Sequence, residues 1–140
     1  MQQEWLLYPI FAMFLITAFT SIRMLKLRIK AVKAGEVKVS YFRLNQGQEL
    51  PKALRQTERH YENLFEFPVL YYVIIIMIYI TEQANYGYLV LAWLFVFSRI
   101  AHAYIHLGHN NVIHRKNAFL ASWVVLVGLW GYLFFDLITN

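Results

Sequence analysis

The chain has 140 residues, of which 59% are hydrophobic, 18% aromatic and 15% charged, with no cysteine and a mean hydropathy of +0.43. A soluble domain this short buries too small a share of its surface to hide so much apolar area, so the composition points to a chain solvated by lipid. The missing cysteines exclude a disulfide frame, a thiolate metal site and a cysteine nucleophile.

The net charge of +5 raises the question of nucleic acid, and the placement of the charges answers it. Of the 13 Lys and Arg, ten fall between Arg23 and Arg59; Arg115 and Lys116 form a second group, and Arg99 stands alone. Residues 1–22, 81–98 and 117–140 carry none. This is the positive-inside pattern of a membrane protein, and no nucleic-acid partner is expected.

Four apolar runs follow in chain order. Residues 5–22 contain no charge and lead into Arg23, Lys26, Arg28 and Lys30. A cleaved signal has the reverse polarity, so this run reads as a retained helix with its C-terminal end in the cytoplasm. Residues 23–34 are expected to extend that helix into water, and the polar segment 23–57, with Gly35, Gly47 and Pro51, forms a cytoplasmic loop. The second run, 64–80, has Glu66 near its start. A short external turn at 81–85 follows, with Tyr86 and Tyr88 at the interface. The third run, 86–107, has Arg99 as its full charge; a cytoplasmic turn occupies 108–117; the fourth, 118–138, has Asp136 near its end. Each run is close to the ~20 residues that carry a helix across ~30 Å of hydrocarbon. Strands need period-2 alternation, which is missing, and open backbone in lipid is forbidden. The expectation is an all-α membrane protein: one domain over 1–140, a four-helix transmembrane bundle with both termini non-cytoplasmic, in the inner membrane if the source is bacterial.

Ionisable groups at membrane depth are costly and mark function. Two clusters stand out. At about 100° per residue, Arg59, Glu62, Asn63 and Glu66 fall on one helix face roughly 100° wide. A guanidinium, a carboxamide and carboxylates in line suit a zwitterionic, peptide-like ligand, with Arg for its carboxylate and Glu for its amine. The plainer reading is that these groups knit helices together. Pro68 is expected to disturb the backbone just beyond them. The second cluster, Arg99, His102, His106 and His109, spans roughly 80° of one face. His102 and His106, four residues apart, could share a metal, but no further ligand motif accompanies them, so a hydrogen-bonded stripe is preferred and no metal is expected. His114, Arg115 and Lys116 serve as orientation charges, or Arg115 has a catalytic role.

The motif Arg59-x-x-x-Asn63-x-x-Glu66-x-Pro68, with the four spans, the long basic first loop and Arg99 in the third span, resembles the family of membrane-associated proteins in eicosanoid and glutathione metabolism over nearly the whole chain. The resemblance implies a homotrimer with glutathione as co-substrate, held between neighbouring subunits near the cytoplasmic side. It implies binding by Arg59, Asn63 and Glu66, with Arg23 at the end of the first span as a further partner. Arg99 and His102 would shape the site, and Arg115 or His106 would be catalytic. Two departures stand out. His102 and His106 replace family tyrosines, and the family's thiolate-stabilising arginine falls on Ile113, leaving His114 or Arg115 as its nearest substitutes. The expected function is a membrane-bound glutathione-dependent transferase or peroxidase acting on lipophilic electrophiles or lipid hydroperoxides. The alternatives are a non-enzymatic lipid- or partner-binding protein on the same scaffold, or a metal- or proton-handling one.

Overall fold

The computed structural model describes residues 1–139. Five helices follow one another: α1 (Leu7–Lys33), α2 (Lys52–Leu64), α3 (Phe67–Ile80), α4 (Tyr86–Leu107) and α5 (Val112–Thr139), with short 3-10 turns at Gln3–Leu6 and Val39–Arg43. They make four stretches long and apolar enough to cross a membrane: Gln3–Lys33, Lys52–Ile80, Tyr86–Leu107 and Val112–Thr139. The chain is a multi-pass membrane protein.

The pattern of exposure agrees with that solvent. Phe11, Phe14, Leu15 and Phe19 of α1 are each about 60% exposed, as are Phe134 and Phe135 of α5. In water such a surface would aggregate; in lipid it is the resting state. The main interior cluster is apolar and includes Met13, Tyr71, Ile74, Ile78, Phe95, Val96 and Leu129. Tyr71 and Phe95 stack there with ring centroids 4.3 Å apart.

The second span is two helices. Phe65 and Glu66 interrupt it, with Glu66 at φ −92°, ψ −87°. Pro68 is the cause, because it has no N–H for the Leu64 carbonyl and its ring crowds that carbonyl; at the start of α3 it is tolerated. Below the break α2 is strongly amphipathic, burying Leu54, Thr57, His60 and Leu64 at spacings of three and four.

The first span is longer than its apolar run. At 27 residues α1 measures roughly 40 Å. It stops where Gly35 adopts φ 71° and the Glu36 N–H returns to the Ala31 carbonyl at 3.0 Å, a glycine-terminated C-cap. Segment 34–51 then folds back, so that Val37 and Leu50 pack with Ala31 and Leu54 in a second small core. Arg28 donates to Glu58 Oε1 from Nη2 at 2.8 Å and from Nε at 3.0 Å, and lies 5.1 Å from the Phe42 ring centre. Arg23 Nε donates to Thr57 Oγ1 at 3.3 Å. Arg28, expected only to orient the first span, and Arg23, expected also as a ligand partner, therefore clamp α2 against α1.

At the opposite end the Asn85 side chain caps α4 through the Gly87 and Tyr88 N–H groups. Tyr88 donates to Asp136 at 2.6 Å, so the half-buried acid of the last span is tied to a buried side chain of α4. The chain start belongs to this end, since Gln3 donates to the Tyr79 carbonyl. Glu4 and the loop residue Gln46, both exposed, thus lie at opposite ends. In the cysteine-free chain, Glu4→Cys and Gln46→Cys should react with an impermeant maleimide from opposite faces of sealed vesicles. Labelling of both from one face would contradict the topology.

Candidate functional site

At the loop end, α2, α4 and α5 border an open cavity of about 410 Å3 lined by Arg59, Asn63, His102, His106, Val112, Arg115, Lys116 and Phe119. Each side chain is there for a local reason. Arg59 and Asn63 lie on one flank of amphipathic α2. His102 and His106 are one turn apart on the buried face of α4. Arg115 and Lys116 stand in the first turn of α5, whose start is fixed by Asn111: its side chain accepts from the Ile113 and His114 N–H groups at 3.0 Å and 3.1 Å. Arg115 Nη1 donates to Asn110 Oδ1 at 2.9 Å, so its guanidinium is anchored from behind.

Arg99 lies beneath this cavity, with no exposed surface. Its Nη2 donates to Asn63 Oδ1 at 2.6 Å, while Nε and Nη1 have no protein partner. Beside it stand three imidazoles. His60 of α2 is 5.6 Å from His102 and 5.4 Å from His106, centroid to centroid, and His102 and His106 are 5.6 Å apart. Among the described residues no group of His, Cys, Asp and Glu could hold a metal ion.

Two full guanidinium charges, an ammonium and two imidazoles thus line the cavity, and none of the lining residues is a carboxylate. Such a wall binds anions and stabilises negative charge that develops within it. Arg59 is also a wall of a neighbouring cavity of about 330 Å3, which contains Glu49, Glu58 and Glu62. Arg59 therefore borders both the cationic cavity and one of mixed charge, where Arg55 also stands and Glu58 is paired with Arg28.

The residues singled out from the sequence divide accordingly. Arg59, Asn63, His102, His106 and Arg115 share the cavity, and Arg99 supports it through Asn63. Glu66 does not join them: the break before Pro68 rotates it away, and it is exposed. Arg23 lines a different, apolar groove of about 650 Å3 between α1 and α4, with Phe19, Ile100 and Tyr104. His109 leaves the stripe because α4 ends at Leu107; its ring lies 5.8 Å from that of His114 in the turn. Ile113 is 64% exposed and outside the cavity, whereas Arg115 lies within it. Sequence reasoning passed over His60 and Phe119, and read Lys116 only as an orientation charge. The three- and four-residue spacing of Leu54, Thr57, His60 and Leu64 was the signal that His60 faces inward.

The sequence model of the MAPEG family matches residues 6–135. The chain belongs to the MAPEG family. Every residue of the cavity lies within the match, as do all four spans apart from residues 3–5 and 136–139 at their outer ends, so this cavity belongs to the matched region. No curated protein and no solved structure gives a match.

Asn63→Leu removes the acceptor of a buried guanidinium and should lower stability by about 1–3 kcal/mol, read as a lower thermal midpoint in detergent. Asn63→Asp, which keeps the acceptor, should be far milder. Equal midpoints for Asn63→Leu and wild type would show that Arg99 does not depend on this contact.

Proposed function

We propose that this MAPEG protein is a membrane-bound, glutathione-dependent transferase or peroxidase acting on lipophilic electrophiles or lipid hydroperoxides. The observation that supports this reading is the cavity of Arg59, Arg115, Lys116, His102 and His106 with no lining carboxylate. Glutathione brings two carboxylates, one ammonium and a thiol. Arg59 and Lys116 take carboxylates at the rim. The ammonium is directed past Arg59 toward Glu62 in the neighbouring cavity. Arg115 stands beside the sulfur in the role that Ile113 cannot fill, and lowers the cost of the thiolate. His106 takes part as a proton acceptor.

The second substrate arrives from the bilayer. A thiolate attacks an electrophilic carbon to give a thioether. With a hydroperoxide it attacks the terminal oxygen, the O–O bond breaks, and the alcohol leaves; a second glutathione then closes the disulfide and releases water. The protein supplies orientation, charge stabilisation and exclusion of bulk water.

The active unit in this reading is a homotrimer. An exposed Glu66 at the foot of apolar α3 is costly against lipid, and a neighbouring subunit would give it a partner. The loop end faces the cytoplasm, where the basic residues cluster, so both termini are non-cytoplasmic. A second reading, a non-enzymatic lipid-binding protein, is favoured by the apolar groove that has Arg23 at its end. It would retain lipid through purification and form no thiolate with glutathione.

Calorimetry with glutathione separates these readings. Wild type should bind, Arg59→Ala should bind roughly tenfold more weakly, as loss of a charge-assisted contact implies, and Arg115→Ala should form less thiolate in the ultraviolet spectrum. Binding unchanged by Arg59→Ala would place the ligand elsewhere.

A further inference from the structure

The imidazole of His60 has no role in the reading above, and its setting calls for one. Its side chain is fully buried, and both ring nitrogens lack a protein partner, as do Nδ1 of His102 and Nδ1 of His106. Buried polar groups in folded proteins are nearly always paired, so four such nitrogens in one place are unusual. The rings form a near-equilateral triangle with sides of 5.4 to 5.6 Å between centroids. A ring nitrogen lies about 1.2 Å from its centroid, so ring rotation brings nitrogens of adjacent rings to roughly 3 Å, hydrogen-bond distance.

The cavity also limits where a proton can go. Its polar lining is Arg59, Arg115, Lys116, Asn63, His102 and His106. Arginine and lysine carry their protons already and have no acceptor, and a carboxamide is not a base. Imidazole is the base available at this wall. His60 stands behind both cavity-lining rings.

We infer that His60 is a positioning residue that shares, through His106 and His102, the proton released when a thiol ligand ionises in the cavity. This rests on the thiol reading of the site. The thiol S–H bond breaks, its electron pair stays on sulfur as the thiolate, and the proton bonds to an imidazole nitrogen of His106. One nitrogen of His60 then accepts from the remaining N–H of that imidazolium, and its other nitrogen donates to His102, which pairs nitrogens that otherwise have no protein partner. Transfer is coupled to binding by charge. The groups facing the triangle are Arg99 from α4, Arg59 from α2, and Arg115 and Lys116 from α5; Glu58 and Glu62 line the cavity on the other side of Arg59. The ligand's carboxylates and the thiolate supply the negative charge that makes an added proton an ion pair rather than one more like charge.

The test counts protons. The full-length protein, reconstituted in its native assembly, is mixed with glutathione in weak buffer containing an indicator dye, and thiolate absorbance is followed alongside. Wild type should form thiolate while releasing well under one proton per thiolate to the medium. His60→Gln keeps size and hydrogen bonding but cannot hold a proton, and should raise the release toward one per thiolate. His106→Gln should do the same. A full proton released per thiolate by wild type overturns the inference without any variant, and unchanged release in His60→Gln overturns the role of His60. Absence of thiolate in wild type contradicts the glutathione reading itself, and the inference with it.

Discussion

A guanidinium buried completely inside a bundle that lipid surrounds is the constraint on which the remaining structure depends. Arg99 sits in the body of the third span, where a charge costs roughly 2.5–3.5 kcal/mol even on the mildest insertion scales. It is tolerable only with polar company. Asn63 supplies an acceptor at 2.6 Å, and Asn63 reaches it because α2 presents a polar flank to α4 rather than an apolar one. The bundle could not be a uniform four-helix core and still hold Arg99.

Several features follow from that requirement. The second span must be polar near the loop end and apolar beyond it, and Pro68 marks the change with a break in the backbone. Arg23 and Arg28 draw α2 onto α1 from its other side, leaving the flank with Arg59 and Asn63 to face α4 and α5. Asn111 begins α5 early enough for Arg115 and Lys116 to stand opposite α2. The cationic cavity is thus the consequence of three helix starts and stops, and its charge is concentrated at the end where the chain is most polar.

The spans were legible because hydropathy over ~20 residues is the strongest signal a membrane chain carries. Their ends were less so. Helix α1 continues to Lys33, as the expected extension over 23–34 has it, but α2 begins at Lys52, inside the segment 23–57 read as loop, and α5 at Val112, since polar residues extend a helix into water without changing its hydropathy core. The site was legible where helical angles hold: Arg59 and Asn63 on one helix, Arg99, His102 and His106 on another. It failed where a helix stops. Glu66 lies past the break and His109 past Leu107, so an ideal 100° step no longer describes them. Arg23 was assigned by resemblance, but hydrogen-bonds Thr57 and lines the α1–α4 groove. His60 was hidden because a lone histidine on a polar helix looks like solvent-facing charge until its neighbours at three and four residues are counted.

MAPEG membership and the cationic lining of the cavity support the proposed thiol chemistry at the loop end, in which arginines would meet the charge and histidines the proton. The central claim is that the chamber between α2, α4 and α5 is the ligand site. Determining the structure of the assembled protein with glutathione bound tests it most directly. The account predicts the tripeptide in that chamber, with carboxylates at Arg59 and the sulfur near Arg115 and His106. Glutathione bound elsewhere, with Arg59 and Arg115 turned into solvent, would contradict it.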